Sequence, residues 1–597
     1  MSIRCGYSGF YTDTNSMVWV GDSNFTQNGE ARVIQSSTST ALSYPTLRVF
    51  TTLKKNCYSI KVDQGAQLLL RATFFYGNYD RKNSPPTFDL QFDGNDWATV
   101  ETSITLVISY EVIYVAKRDS ISVCVAQTKA NQFPFISAIE VRSLGFNMYS
   151  HVGAEDGLFL LSRTAYGTSA TVRYPDDPYD RIWSPAQTAG TGLLNETTEA
   201  STINTAIAED EPPQAVLENA ITTPNTSEYI TLTPIPPSLF FQIPNLQTPV
   251  QVYVTLYFSE VAQLDLTQTR FFMVYKDDKP LISDTIVPPF GTVDEIWATI
   301  PAYKNTSINL VATADSTLPP LVNAMEVYAI DGPLTNGTDA NDVEGLASLQ
   351  SKFDVLQAWG GDPCLPAPYS WEWINCTSDD TPRVTALDMS NNSISGPIPD
   401  FLETLPELKE LDMSNNSISG PIPDFFETLP ELKELNLADN QLSGCIPLSN
   451  NNGVKLTVTG NPGLGASGKC TKSTSSGTGS NKKGSSSKLG IILGTTFGLL
   501  VFICGIVGAV LAVVFCCKRR TTPVAASDAG QNGRSNYIMA NGTQQGNVAL
   551  AATAVTGGKV EGSSESKAKS GVAEHVIDGI VNIIQMVNNS DDQEQQT

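Results

Sequence analysis

Two consecutive stretches, LDMSNNSISGPIPDFLETLPELKE at 387–410 and LDMSNNSISGPIPDFFETLPELKE at 411–434, differ only at Leu402 versus Phe426. Self-similarity at such a period confines the segment to a stacked-repeat fold, in which each unit buries its apolar side only against its neighbours. Val384, Leu387, Met389, Asn392, Ile394, Gly396, Ile398 and Pro399 recur as Leu408, Leu411, Met413, Asn416, Ile418, Gly420, Ile422 and Pro423. They recur again as Leu432, Leu435, Leu437, Asn440, Leu442, Gly444, Ile446 and Pro447, and a decayed turn follows through Leu456, Val458 and Asn461. A recent duplication accounts for the near-identity, since an added copy lengthens a stack without disturbing a global core.

The pattern LxxLxLxxNxLxGxIP resembles the plant-type leucine-rich repeat. The resemblance implies a core of Leu and Ile shared between turns and a ladder of asparagines bonding adjacent backbones. The expected concave face carries Glu410, Asp412, Ser414, Glu434 and Asn436, an acidic surface suited to a small contact.

At 597 residues the chain exceeds one core, and about 150 residues per domain predicts three or four units. With 37 Lys+Arg against 61 Asp+Glu, the net charge of -24 repels a phosphate backbone and disfavours nucleic acid as a partner. Only His151 and His575 are present, which argues against histidine-based catalysis or a histidine-rich metal site. The run Leu489–Cys517 has no charged residue and is long enough to cross a bilayer as one helix. Lys482, Lys483 and Lys488 before it and Lys518, Arg519 and Arg520 after it leave orientation to other signals. Asn24, Asn195, Asn225, Asn305, Asn336, Asn375, Asn391 and Asn415 each begin an N-x-S/T sequon before the run, favouring an extracellular N-terminus and a glycoprotein. Asn541 and Asn588, which also match, would lie inside and stay bare. The opening MSIRCGYSGF has no basic n-region and no apolar h-region, so no signal peptide is visible. The reading is that a first segment is missing from this sequence; the alternative is a chain that never enters the secretory route.

Residues 1–330 alternate short β-branched and aromatic runs with Gly, Pro, Asn and Asp, which predicts β-sandwiches, two rather than one. RATFFYGNYD (71–80), FDLQFDGNDWATV (88–100), FPFISAIEVRSL (133–144), RYPDDPYDRIW (173–183), YFSEV (257–261), TRFF (269–272) and STLPPLVNAMEVY (316–328) resemble the malectin-like domain of plant receptor kinases. The resemblance implies tandem jelly-roll-like lobes, expected at 1–150 and 151–332. Phe74, Phe75, Tyr76, Tyr79 and Trp97 either stack on a sugar or build the core, and the core is favoured because half-buried strands need such residues.

Residues 333–382 are expected to form a linker and an N-terminal cap for repeats spanning 383–465. Val343, Leu346, Leu349, Phe353 and Leu356 fall at helical spacing and would cover the first repeat. Gly361-Asp362-Pro363-Cys364 together with Cys376 resembles the cap of symbiosis-receptor-type ectodomains. That resemblance implies a Cys364–Cys376 disulfide; Cys57–Cys124 and Cys445–Cys470 are the further candidate pairs, leaving Cys5 over. The family's usual C-terminal cap places a Cys after NP, whereas NPGLG has none, which weakens Cys445–Cys470. The resemblance also makes Gly361–Cys364 a candidate cleavage junction, expected to lie between independent cores with few contacts across it. The alternative is an uncut rigid connector.

A Ser/Gly/Lys-rich stalk is expected at 466–488, the membrane helix at 489–517 and a mostly disordered cytoplasmic tail at 518–597. GLGASGKC (463–470) nearly spells a P-loop, but Cys470 stands where magnesium needs Ser or Thr. Gly490, Gly494 and Gly498 share a helical face that would permit helix-mediated dimerisation, against ordinary membrane glycine usage. Cys516 and Cys517 are candidates for palmitoylation or remain free thiols. Residues 572–587 form either an amphipathic partner helix or an unfolded segment. The tail lacks a Gly-rich loop, a V-A-I-K lysine, an H-R-D loop and a D-F-G motif, so the kinase of related receptors does not carry over. No cofactor and no enzymatic activity are expected. The function expected is a kinase-less, single-pass plasma-membrane receptor-like protein. Its malectin-like region binds an extracellular glycan or secreted peptide, and it signals through a co-receptor kinase. The alternative is a non-signalling wall tether or decoy.

Overall fold

The computed structural model describes residues 1–35, 43–188, 190–235, 249–447 and 453–465, and the backbone of 553–555. The malectin-like region is built on one eleven-stranded sheet. Strands Ala138–Ser143, Gln67–Phe74 and Ile108–Val115 of the first lobe run into Gly157–Ala165, Ala324–Asp331, Val250–Phe258 and Asp294–Ala302 of the second. The seam is antiparallel, with Val112 opposite Phe159 and Ile113 opposite Leu158. The sheet therefore runs through the boundary expected near residue 150. Two sandwiches still exist, because two separate sheets cover it. Lys55–Lys61, Ser120–Ala126, Thr87–Phe92 and Asn95–Glu101 close the first core over Leu70, Phe74, Phe88 and Val123. Phe272–Lys276, Ile308–Ala312 and Tyr229–Leu232 close the second over Val254, Leu256, Phe258 and Leu310. Alternation along Val250–Phe258 explains the choice of face. Val252, Val254, Leu256 and Phe258 enter the sandwich, while Tyr253, Thr255 and Tyr257 point to the other side.

Below that other side lies a network of buried charge. Arg71 pairs with Glu111 at 2.8 Å and with Glu140 and Asp180 at 3.3 Å. Arg163, fully buried, pairs with Glu111 at 2.6 Å and with Glu326 at 2.5 Å. The chain Arg71–Glu111–Arg163–Glu326 thus stitches the lobes beneath their common sheet. Burial alone would raise the pKa values of Glu111 and Glu326, but Arg163 leads the arginines that overcome it and hold both carboxyls low.

The repeats stack as their period requires. Val384–Asp388, Glu410–Asp412, Glu434–Asn436 and Lys455–Thr457 pair in parallel, with Leu387, Leu411, Leu435 and Leu456 in register. The asparagine ladder is present. Asn416 Nδ2 donates to Met389 O at 2.9 Å, Asn440 to Met413 O at 2.9 Å and Asn461 to Leu437 O at 2.8 Å, each to the preceding turn. Each Oδ1 accepts a backbone amide of that same turn: Ile394, Ile418 and Leu442. Helix Ala340–Lys352, capped by Asp339, covers the first repeat with Leu346 and Leu349. Val343, expected on that face, lines a cleft against the first lobe instead.

No described helix is long and apolar enough to cross a membrane; Leu489–Cys517, with Gly490, Gly494, Gly498, Cys504, Cys516 and Cys517, lies outside the described residues. The stalk and the 572–587 segment lie outside them too. Thr553–Val555, expected in an unstructured tail, forms a strand antiparallel to Tyr229–Leu232. The physical reason is the open edge of the second lobe's outer sheet, whose unpaired amides accept an extended segment. Gly463–Leu464 pairs with Ser443–Gly444 as part of the repeat stack, not as a phosphate loop.

Candidate functional site

Among the five aromatics weighed for sugar stacking, Phe74, Phe75, Tyr76 and Trp97 are buried in the first core, and Tyr79 packs against it. They are structural, which leaves the first lobe's sandwich without the exposed platform they would have made.

An exposed platform exists in the second lobe. Trp297, on edge strand Asp294–Ala302, is 41 % exposed and stacks on His151 with ring centroids 3.8 Å apart. His151 Nε2 lies 2.7 Å from Glu209 Oε2. Beside the indole, with ring centroids 6.3 Å apart, lies Tyr253; its hydroxyl and Glu295 Oε1 are buried and have only loose partners, Thr255 for the phenol and the Asp210 carboxyl for Glu295. Glu295 Oε2 accepts the Asp210 backbone amide at 3.1 Å. Burial, then the charge of Glu295, pushes Asp210 well above the usual carboxylate range, and burial likewise raises Glu295. Two carboxyls that share a hydrogen bond, beside a phenol and with no cation paired to them among the described residues, favour a positively charged visitor.

A second site is a cleft of about 160 Å³ between the first lobe and the linker, lined by Asp93, Lys117, Arg118, Ser120, Asn336 and Asp362 among others. Lys117 Nζ donates to Leu334 O at 2.7 Å and to Asn336 Oδ1 at 2.9 Å; Arg118 donates to Thr338 O at 2.8 Å. Burial pushes Asp93 up to about 6, partly opposed by hydrogen bonds from Ser122 and Tyr114.

The expectation of few contacts across Gly361–Cys364 is wrong. Gly361 has φ +72° and rests on the first lobe's disulfide: a Cβ there would stand 2.5 Å from Cys57 Sγ and 2.6 Å from Cys124 Sγ. Asp362 is buried and accepts from the backbone amides of Thr338, Cys364 and Leu365 at 2.8, 3.0 and 2.9 Å and from the Thr338 hydroxyl. Lys55 of the first lobe donates to Asp362 O at 2.7 Å and to Leu365 O at 2.8 Å. Burial lowers its pKa to about 8, with Asp362 opposing. The junction is a clasp between lobe and repeats: the Asp362 carboxylate gathers linker and cap donors, while Lys55 of the first lobe holds the backbone carbonyls of Asp362 and Leu365.

Cys57 is bonded to Cys124 and Cys364 to Cys376, while Cys5 is free and buried. Cys445 is disulfide-bonded, and Cys470 lies outside the described residues. All eight candidate glycosylation asparagines, Asn24, Asn195, Asn225, Asn305, Asn336, Asn375, Asn391 and Asn415, are exposed. On the concave repeat face Asn436 donates to Asp412 at 2.8 Å and Lys455 pairs with Glu434 at 2.7 Å, so part of its acidity is already neutralised. Sequence reading missed Trp297, His151, Glu295, Asp93 and Lys55, because each gains meaning only from a partner far away in the chain.

The malectin-like domain family matches residues 3–330 and the leucine-rich repeat family residues 382–442. An uncharacterized protein of Arabidopsis thaliana is 37% identical over 57% of this chain and 66% of its own length. A probable LRR receptor-like serine/threonine-protein kinase of the same plant is 33% identical over 67% of this chain and 46% of its own length. The chain thus spans about half the length of such receptor kinases. Among solved structures, the ANX2 ectodomain from Arabidopsis thaliana is 17% identical, covers 56% of this chain and 97% of its own, and superposes with a TM-score of 0.47. A complex of the plant peptide RALF23 with FER and LLG2 aligns with a TM-score of 0.44 at 17% identity, over 55% of this chain and 95% of that one. With the malectin-like match covering more than half of its residues, the chain belongs to the malectin-like domain family.

Proposed function

We propose that the chain is a cell-surface receptor-like protein that takes a basic secreted peptide on its second lobe and signals through a partner kinase. The observation that carries the ligand reading is the exposed Trp297–His151 stack beside the Tyr253 hydroxyl and the crowded Asp210–Glu295 carboxyl pair. A lysine or arginine side chain laid there gains a cation–π contact and relieves the crowded Asp210–Glu295 pair. The net charge of -24 would steer such a ligand inward. Exposure of every candidate sequon asparagine supports an extracellular setting. A single-pass arrangement and the Thr553–Val555 pairing exclude each other: a cytoplasmic tail cannot reach the second lobe.

The test is an ectodomain binding screen over secreted basic peptides and wall glycans. Trp297→Ala, an exposed change, should weaken the peptide hit about five- to thirtyfold, the worth of about 1–2 kcal/mol. Higher salt should weaken it further. Equal binding by Trp297→Ala and the unaltered protein would remove this site from the reading. A hit confined to neutral glycans would replace the peptide by a carbohydrate.

A further inference from the structure

We propose that Asn336 is N-glycosylated and that its first N-acetylglucosamine seats in the cleft between the first lobe and the linker, fastening the two together. This rests on the extracellular setting proposed above and adds to it a structural role for one glycan. Asn336 is the one sequon asparagine among the residues that line the cleft. Its Oδ1 is held by Lys117 Nζ at 2.9 Å, and its Nδ2, the atom that carries a glycan, donates to nothing among the described residues. By contrast Asn225 Nδ2 is bonded to Glu228 at 2.9 Å. The cleft, at about 160 Å³, has about ten times the room one buried water needs. Ser59, Ser120, Arg118 and Asp93 offer hydrogen bonds, and Val343 offers an apolar wall. A pyranose ring needs that mixture: hydroxyls and an acetamido group around its edge and C–H faces. A sugar tethered at the rim also enters at high effective concentration, with little further translational entropy to lose.

The sequon itself is built into the clasp. A Cβ on Gly337 would lie 2.6 Å from Asp362 Oδ2 and 2.9 Å from Arg118 Nη2. Thr338 is buried, its amide and hydroxyl both donating to Asp362. A glycosyltransferase needs that hydroxyl accessible, so the sugar is added before Thr338 docks. In the transfer, Asn336 Nδ2 attacks C1 of a lipid-diphosphate-linked oligosaccharide. The Nδ2–C1 bond forms, and the C1–O bond to the diphosphate breaks. The lipid diphosphate leaves with the bonding pair, and the amide proton passes to a base. Folding then closes the linker over the first sugar, with the outer sugars running to solvent.

The full chain made in plant cells supplies the test. Glycopeptide mass spectrometry should find Asn336 occupied. A glycan-releasing amidase, which hydrolyses the Cγ–Nδ2 amide and leaves aspartate, should strip the glycan of Asn305 from the native protein but reach that of Asn336 only after denaturation. Ser120→Trp, which fills the cleft, should abolish that protection. Asn336→Gln should lower the melting temperature by about 2 °C and hasten proteolysis within 332–338 several-fold, whereas Asn305→Gln should change neither. A bare Asn336 beside an occupied Asn305, or equal native release at the two sites, overturns the proposal alone. Bare asparagines at every sequon would overturn it together with the extracellular reading.

Discussion

Replacing Asp362 by Ala should lower the unfolding free energy by about 3–5 kcal/mol, the range for leaving a buried charged cluster without its centre. Thermal unfolding of the ectodomain checks it, and a drop of about 10 °C is expected. The loss is large because four donors lose one acceptor at once: the amides of Thr338, Cys364 and Leu365 and the Thr338 hydroxyl. Lys55, whose buried ammonium is supported by Asp362 more than by Asp96, loses that countercharge too. Asp362→Asn keeps the shape and one oxygen, so it should lose less. The substitution also bears on cleavage. With the clasp closed, Gly361 is pressed on the Cys57–Cys124 sulfurs and is no open strand for a protease. Asp362→Ala should therefore increase a C-terminal fragment that starts near Cys364. A melting temperature within a degree of the unaltered protein would mean that the carboxylate is not the centre of the junction.

Arg163→Met should destabilise the malectin-like region by a similar amount, about 3–5 kcal/mol at neutral pH, because Glu111 and Glu326 stay buried with less positive charge beside them. The pH dependence gives this prediction its signature. In the unaltered protein both carboxyls are held low, so their stabilisation is present above the unfolded carboxylate pKa and fades as pH falls through their folded values. Without Arg163 their folded pKa values rise. The stability deficit of the variant should then be greatest near pH 7 and shrink towards pH 5, as protonation removes the unpaired charge. Chemical denaturation at the two pH values measures it, and a deficit independent of pH would mean that lost packing, not charge, dominates.

How far the letters led depends on the range of the interaction. A repeat contacts itself one period away, so the match of Leu387 to Leu411 and Asn392 to Asn416 revealed stack, register and ladder together. Strand periodicity likewise revealed the sandwiches, and the rule that aromatics in half-buried strands are core placed Phe74 and Trp97 correctly. The common sheet was not legible, since no local pattern says that Ile113 pairs with Leu158 rather than ending a domain. The junction misled because Gly and Pro read locally as a break. Asp362 draws its donors from Thr338 in the linker and Lys55 in the first lobe, 307 residues away. The Trp297–His151 stack joins positions 146 residues apart and has no local signature.

The seam between Ile108–Val115 and Gly157–Ala165 has a consequence for descent as well as for packing. The repeats can gain or lose a unit by a slip in copying, because every turn offers its successor the same face. The lobes cannot. Each supplies half of a single woven surface, and the pair Val112–Phe159 admits no third lobe between its members without opening two raw edges. One polypeptide therefore holds two heritable regimes: a tally of turns that lineages are free to revise, and a fixed couple of lobes that must be passed on together.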